Sequence, residues 1–124
     1  MDAKTFKERT KKFGLMVIRL VESLPHTPNA DVLGKQILRS GTSVGANYRA
    51  ACRAKSAADM LNKLKIAEEE GDETFYRLEL LEESGLVPQE QLAGLMDECN
   101  QLLAMTVASI KTLRAKSKYS TRQS

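Results

Sequence analysis

Carboxylates in the middle of the chain are the residues best suited to chemistry. Five of them fall within six positions, at Glu68, Glu69, Glu70, Asp72 and Glu73. Paired carboxylates can serve acid–base catalysis or, with Glu-x-x-His motifs on neighbouring helices, a di-iron site. The single histidine, His26, lies in a proline-flanked stretch far from these acids. We therefore expect no metal site and no cofactor, and a solvated His26.

The acidic cluster covers more than half of a helix circumference, so some of its side chains should face a neighbour. An unpaired buried carboxylate is very costly, and the arginines of the first half of the chain could pair with it. We predict an ion-pair network of Arg39, Glu69, Asp72 and Glu73. A solvated acidic face and an enzymatic acid–base pair are the alternatives.

Other catalytic motifs are missing. No Gly-x-Ser-x-Gly or Cys/His arrangement occurs, and the glycine-rich stretch from Arg39 to Arg49 lacks the Gly-Lys-Ser/Thr ending of a phosphate loop. Cys52 and Cys99 fall on apolar helix faces and are predicted to be buried, reduced thiols. We expect no enzyme and see no small-molecule substrate.

The net charge of +3 hides a strong segregation. Residues 1–65 hold 13 basic and 5 acidic residues, residues 66–98 hold 1 and 11, and residues 99–124 hold 5 and none. Concentrated basic charge suits contact with nucleic-acid phosphates, although it also describes an ordinary solvated surface. The candidate phosphate-contacting residues are Arg49, Arg53, Lys55, Lys63, Lys111, Arg114, Lys116 and Lys118.

Apolar spacing of three and four residues predicts four helices. Helix one runs from about Asp2 to Ser23, and helix two from an N-cap at Thr27 to about Arg53. Helix three follows an N-cap at Ser56 and ends near Ser84, before a glycine suited to a helix end. Helix four begins at Pro88. Short connections predict an all-α, antiparallel, up-down-up-down four-helix bundle over residues 1–117, with a basic, disordered tail at 118–124.

Glycines inside the helical patterns are predicted to allow close helix packing, since glycine costs roughly 0.5–1 kcal/mol in a helix. These residues are Gly41, Gly45 and Gly71. A turn at residues 54–55 would direct Gly41 and Gly45 toward helix three, near Ala67 and Gly71. A small ligand pocket at this glycine face is the alternative.

Two stretches resemble a known family. They are Gln36-x-x-Arg-Ser-Gly-Thr-Ser-Val-Gly-Ala-Asn-Tyr-Arg-Ala and Lys63-Leu-x-Ile-Ala-x-Glu-x-x-Asp-Glu-Thr-x-Tyr-x-Leu-Glu-Leu-Leu81. They are similar to four-helix-bundle proteins noted in intervening sequences of bacterial 23S ribosomal RNA genes. The resemblance implies a homopentameric ring without enzymatic activity. It also implies association with structured RNA or with a reverse-transcriptase nucleoprotein.

Together these observations predict a cytoplasmic, non-enzymatic bundle. It would self-assemble, because helix one and helix three carry apolar residues beyond one core stripe, and contact RNA through a basic end. The alternative is a protein-only scaffold or adaptor in which the segregated charges pair subunits. No membrane span is expected, since no apolar run approaches 18 residues.

Overall fold

The computed structural model consists of four α-helices, which confirms the predicted all-α class. It describes the backbone of residues 2–123 and the side chains of residues 2–116. The helices are α1 (Ala3–Ser23), α2 (Pro28–Cys52), α3 (Ala57–Glu83) and α4 (Gln89–Gln123). Lys118 and the predicted tail at 118–124 lie outside the residues whose side chains are described, so that boundary stays a prediction.

Three helices begin at a side chain that caps them. Asp2, Thr27 and Ser56 each accept a hydrogen bond from the backbone N–H three residues ahead. These bonds satisfy N–H groups that have no partner within the helix. Helix α3 stops at Gly85, whose φ of +77° is readily adopted only by glycine. The N-caps predicted at Thr27 and Ser56 and the glycine end of helix three are confirmed, and the cap at Asp2 is an addition.

Paired contacts establish that α1 and α2 are antiparallel, as are α2 and α3, where Ser40 meets Thr74 and Gln36 meets Arg77. Gly41 lies against Val17 and Gly45 against Thr10, so the numbering rises along α2 while it falls along α1. Helix α2 packs along both α1 and α3, and α3 packs along α4. Contact between α1 and α4 is much sparser, and α1 and α3 are diagonal. The bundle is therefore least tightly closed between its first and last helices.

The core follows the predicted stripes. Its largest fully buried side chains include Phe13, Ile37, Leu78, Leu81 and Leu92. A second, smaller cluster of Ala51, Leu64 and Ile110 lies where α2 ends and α3 begins. None of the described helices is long and apolar enough to cross a membrane.

The glycines lie at helix contacts, but the predicted partner of two of them was wrong. A β-carbon at Gly41 would lie 2.8 Å from Cγ2 of Val17, and one at Gly45 would lie 3.2 Å from Oγ1 of Thr10. Both glycines therefore face α1 rather than α3. Gly71 instead meets α4, where a β-carbon would lie 3.0 Å from Leu103 Cδ2.

Candidate functional site

Basic side chains converge at one end of the bundle. Phe6, Tyr48, Met60 and Leu113, one from each helix, line a single cavity there. The start of α1, the end of α2, the start of α3 and the later part of α4 therefore meet. Residues 1–12, 49–65 and 109–116 at this end include thirteen Lys or Arg and only three Asp or Glu. We call this region the basic end.

The candidate phosphate-contacting residues remain available at the surface. Arg49, Arg53, Lys55, Lys111, Arg114 and Lys116 are exposed, and Lys63 is half-buried. Within the described side chains, none of these seven forms a salt bridge; the ion pairs involve Arg9, Arg39 and Arg77. Their positive charge is therefore not neutralised by neighbouring carboxylates.

The predicted ion-pair network exists in part and with a different membership. Arg39 contacts Glu70 at 3.2 Å and Glu73 at 3.0 Å, which joins α2 to α3. These carboxylates raise the pKa of Arg39, with the hydrogen bond to Glu70 as the first cause. Arg77 adds a contact to Glu73 at 3.4 Å.

Two members of that predicted network are placed elsewhere. Glu69 and Asp72 are exposed and form no ion pair among the described side chains. The physical reason is helical phase: Glu70 and Glu73 lie on the side of α3 that faces α2, whereas residues 69 and 72 turn outward. The prediction was right about Arg39 and Glu73, wrong about Glu69 and Asp72, and missed Glu70.

A second ion pair, between Arg9 and Glu98, was not predicted. The guanidinium contacts both carboxylate oxygens of Glu98, with Nε 3.2 Å from Oε2, and also reaches Gln101 at 3.0 Å. The hydrogen bond to Glu98 raises the pKa of Arg9. This cluster bridges α1 and α4, the neighbouring helices that are otherwise most loosely packed. Because 89 positions separate the two residues, no local sequence pattern indicates that they pair.

Buried polar groups in the centre serve packing. The Thr74 hydroxyl lies 2.7 Å from the Ser40 hydroxyl and 2.7 Å from the carbonyl oxygen of Glu70.

The Cys99 thiol lies 3.4 Å from the carbonyl oxygen of Gly71, and burial raises the pKa of Cys99 to about 12. Cys99 is therefore a buried thiol as predicted, while Cys52 is only half-buried. Among the described residues no group of His, Cys, Asp and Glu could hold a metal ion.

Two exposed apolar surfaces lie on opposite sides of the bundle. The first, which we call the α1–α2 face, is a groove of about 300 Å³ that includes Leu15, Ile18 and Thr42 and is flanked by Lys11 and Arg49. Leu15 is 45% exposed there. This side chain lies off the core side of α1, so the bundle itself leaves it uncovered.

The second surface, the α3 face, carries the opposite charge. Tyr76 is 60% exposed and is surrounded by Asp72, Glu73 and Glu79. Because α1 and α3 are diagonal in the bundle, the two faces point away from each other. Their heights along the bundle axis overlap, since Gly41 lies against Val17 and the adjacent Ser40 contacts Thr74.

The fold and these surfaces define a small antiparallel four-helix-bundle protein with one basic end and two oppositely charged apolar faces. The chain belongs to the 23S rRNA-intervening sequence protein family, whose model matches residues 4–108. It is also similar to a solved protein of unknown function from the S23 ribosomal protein family of Bacteroides thetaiotaomicron. The two are 37% identical with a TM-score of 0.83, over 90% of this chain and 99% of the other. No curated protein matches the chain.

Proposed function

We propose that this protein is a non-enzymatic, self-assembling bundle that contacts the phosphates of structured RNA through its basic end. The observation that carries the proposal is the convergence of cations from all four helices, of which only Arg9 has a carboxylate partner among the described side chains. Phosphate contacts by Lys and Arg supply most of sequence-independent nucleic-acid affinity. The proposal places the protein in the cytoplasm, with RNA or a reverse-transcriptase-like nucleoprotein as its partner.

The aromatic residues favour phosphate contact over base stacking. Tyr48, which lines the cavity at the basic end, packs at 76° to the ring of Phe6 with ring centroids 4.4 Å apart. Burial raises the pKa of Tyr48 to about 12. A half-buried ring packed against another is a poorer stacking surface than the exposed platforms that bind single strands. Shape and charge, rather than base identity, would then select the RNA.

Self-assembly is supported by the complementary faces. An apolar surface flanked by Lys11 and Arg49 would meet one flanked by Asp72 and Glu79 on the next copy. Two different surfaces on opposite sides give a head-to-tail contact, which closes into a ring when the rotation allows. The family resemblance favours five subunits. In such a ring all basic ends would lie on one side, and linked sites raise the overall affinity for a long RNA.

The test is RNA binding across a salt series with a charge-matched pair of variants. Lys111→Gln/Arg114→Gln removes two exposed cations from the basic end, and Lys35→Gln/Arg19→Gln removes two exposed cations elsewhere. Log affinity should fall linearly with log salt. Removal of one cation that binds a phosphate should flatten the slope by about 0.7 to 0.9. We expect weaker binding and a flatter slope for the first variant only.

Light scattering provides the control for this experiment. Both variants should have the same mass, because neither changes the α1–α2 face or the α3 face. Equally weakened binding in the two variants would show that only net charge matters and would refute the basic end as a site. Absence of RNA affinity at low salt, with the assembly intact, would favour the protein-only scaffold.

A further inference from the structure

The cavity at the basic end is mostly apolar, so phosphate contact does not account for it. Its volume is about 420 Å³, within the range typical of small-molecule sites. The walls are apolar and adaptable, with Phe6, Met60, Leu64, Met105 and Leu113 among them. Unbranched methionine side chains adjust to irregular ligands. The cavity lies where α1 begins. Helix α4 extends past this point, so α1 does not cover its last part.

The cavity has a polar side along α4. Ser109, Thr112 and Lys116 follow one another there toward the end of the helix. No carboxylate lines the cavity among the described side chains. An apolar space that ends at a cation and hydroxyl donors suits an amphiphile with an anionic head.

The volume distinguishes between two occupants. Two turns of a partner helix, roughly 10 Å across, would need about 800 Å³. A methylene group occupies roughly the volume of one water molecule in the liquid, about 30 Å³. An alkyl chain of about twelve to fourteen carbons would therefore fill the 420 Å³. A single acyl chain would therefore fill the space, whereas a peptide helix would fit into it with only part of its width.

We propose that this cavity binds the acyl chain of a medium- to long-chain carboxylate, with its head group at Lys116. The site does not rest on RNA binding and would function in its absence. Chain burial supplies the affinity, and the ammonium group sets the orientation. The bound head group would also lower the positive charge of the basic end.

The first test titrates the full chain with alkyl carboxylates from octanoate to hexadecanoate by calorimetry, below their micelle concentrations. Each added methylene should raise the affinity about fourfold until the cavity is full. The gain should then stop, near twelve to fourteen carbons. Dodecanol should bind more weakly than dodecanoate. No binding, a continued gain to hexadecanoate, or equal binding of dodecanol would overturn the proposal.

Matched variants locate the ligand. Ala108→Phe would fill the cavity that residue 108 lines, whereas Ala104→Phe changes an exposed alanine one turn earlier that does not line it. Dodecanoate affinity should fall at least tenfold in the first and stay unchanged in the second.

A second pair of variants tests the head group. Lys116→Ala should weaken the binding of dodecanoate but not of dodecanol, and Lys65→Ala should weaken the binding of neither. Equal effects within either pair would refute the site.

Two further measurements address other occupants. A synthetic amphipathic peptide of leucine and glutamate that binds when dodecanoate does not would assign the groove to a protein helix instead. A dodecanoate affinity that disappears at the protein concentrations where the subunits assemble would assign it to a second copy. Either result overturns the acyl-chain ligand, and neither affects the salt-series test of RNA contact.

Discussion

Gly41 lies where any side chain would collide with helix α1. A β-carbon there would lie 2.8 Å from Val17 Cγ2, and Val17 is fully buried, so it has little room to move. We expect Gly41→Ala to lower the free energy of unfolding by about 1–3 kcal/mol. The higher helix propensity of alanine offsets part of this loss. Chemical denaturation of the purified protein measures the change.

Gly94 provides the matched control for this prediction. It lies in α4, and a β-carbon there would have no neighbouring atom within 4 Å. Gly94→Ala should therefore raise the free energy of unfolding by roughly 0.5–1 kcal/mol, the ordinary helical benefit of alanine. The same substitution thus has opposite signs at the two sites. A stabilised Gly41→Ala variant would contradict the close α1–α2 contact.

The buried hydroxyl pair should show strong coupling. Thr74→Val keeps the side-chain shape but leaves the buried Ser40 hydroxyl with only a long contact of 3.5 Å to Ile37 O. An unsatisfied buried hydroxyl costs about 1–3 kcal/mol. The double variant Ser40→Ala/Thr74→Val removes both hydroxyls, so its destabilisation should be smaller than the sum for the two single variants. Additive effects in a double-mutant cycle would show that the two hydroxyls do not interact.

Residue type predicted burial well but could not assign neighbours. The spacing of Phe13, Ile37 and Leu78 identifies a core side for each helix, because burial depends on the phase of one helix alone. Which neighbour Gly41 meets depends on the rotation of α2 relative to two other helices. The periodicity of α2 alone does not contain that information. For α3, a one-residue error in helical phase placed Glu69 in the predicted network where the structure has Glu70.

Among the features of whole helices, the capping residues were the most predictable. An N-cap uses a side chain and an N–H three residues apart, so its whole geometry lies within four residues of sequence. Asp2, Thr27 and Ser56 each show this arrangement. The Arg9–Glu98 bridge is the opposite case, since its two halves meet only after the complete fold has formed.

The cap of α1 should give the protein a defined response to acid. The hydrogen bond from the Thr5 N–H lowers the pKa of Asp2 below its ordinary value of 3.8. Stabilisation from a lowered pKa is fully present above the unfolded-state value and is lost as the pH falls through the folded-state value. Wild type should therefore lose melting temperature relative to Asp2→Asn only below about pH 4.

A substitution of the same type inside the helix controls for net charge. Glu8→Gln removes an exposed carboxylate inside α1 that makes no capping bond. The melting-temperature difference between wild type and this variant should lack the same acid-dependent step. A step of equal size in both comparisons would attribute the acid response to overall charge and not to the cap.

At the scale of the whole molecule, charge and exposed apolar surface are distributed unevenly over the bundle. The sequence predicted a segregated charge and excess apolar surface on α1 and α3. The predicted antiparallel order already places the basic segments at one end, and the cavity there that all four helices line agrees with this. The sequence could not show which way the two apolar faces point. Both features are the basis of the assembly that we propose.

Head-to-tail assembly can be tested by mixing two variants. Leu15→Glu disables the α1–α2 face and Tyr76→Glu disables the α3 face, because each places a carboxylate at an exposed apolar centre. Each variant alone should be monomeric by light scattering, whereas the wild type forms the larger assembly. In a mixture, the intact α3 face of the first can still bind the intact α1–α2 face of the second. We therefore expect a dimer that grows no further.

A symmetric contact that joins like faces would give a different result, since one of the two variants would then assemble alone. A monomeric wild type at micromolar concentration would refute self-assembly altogether.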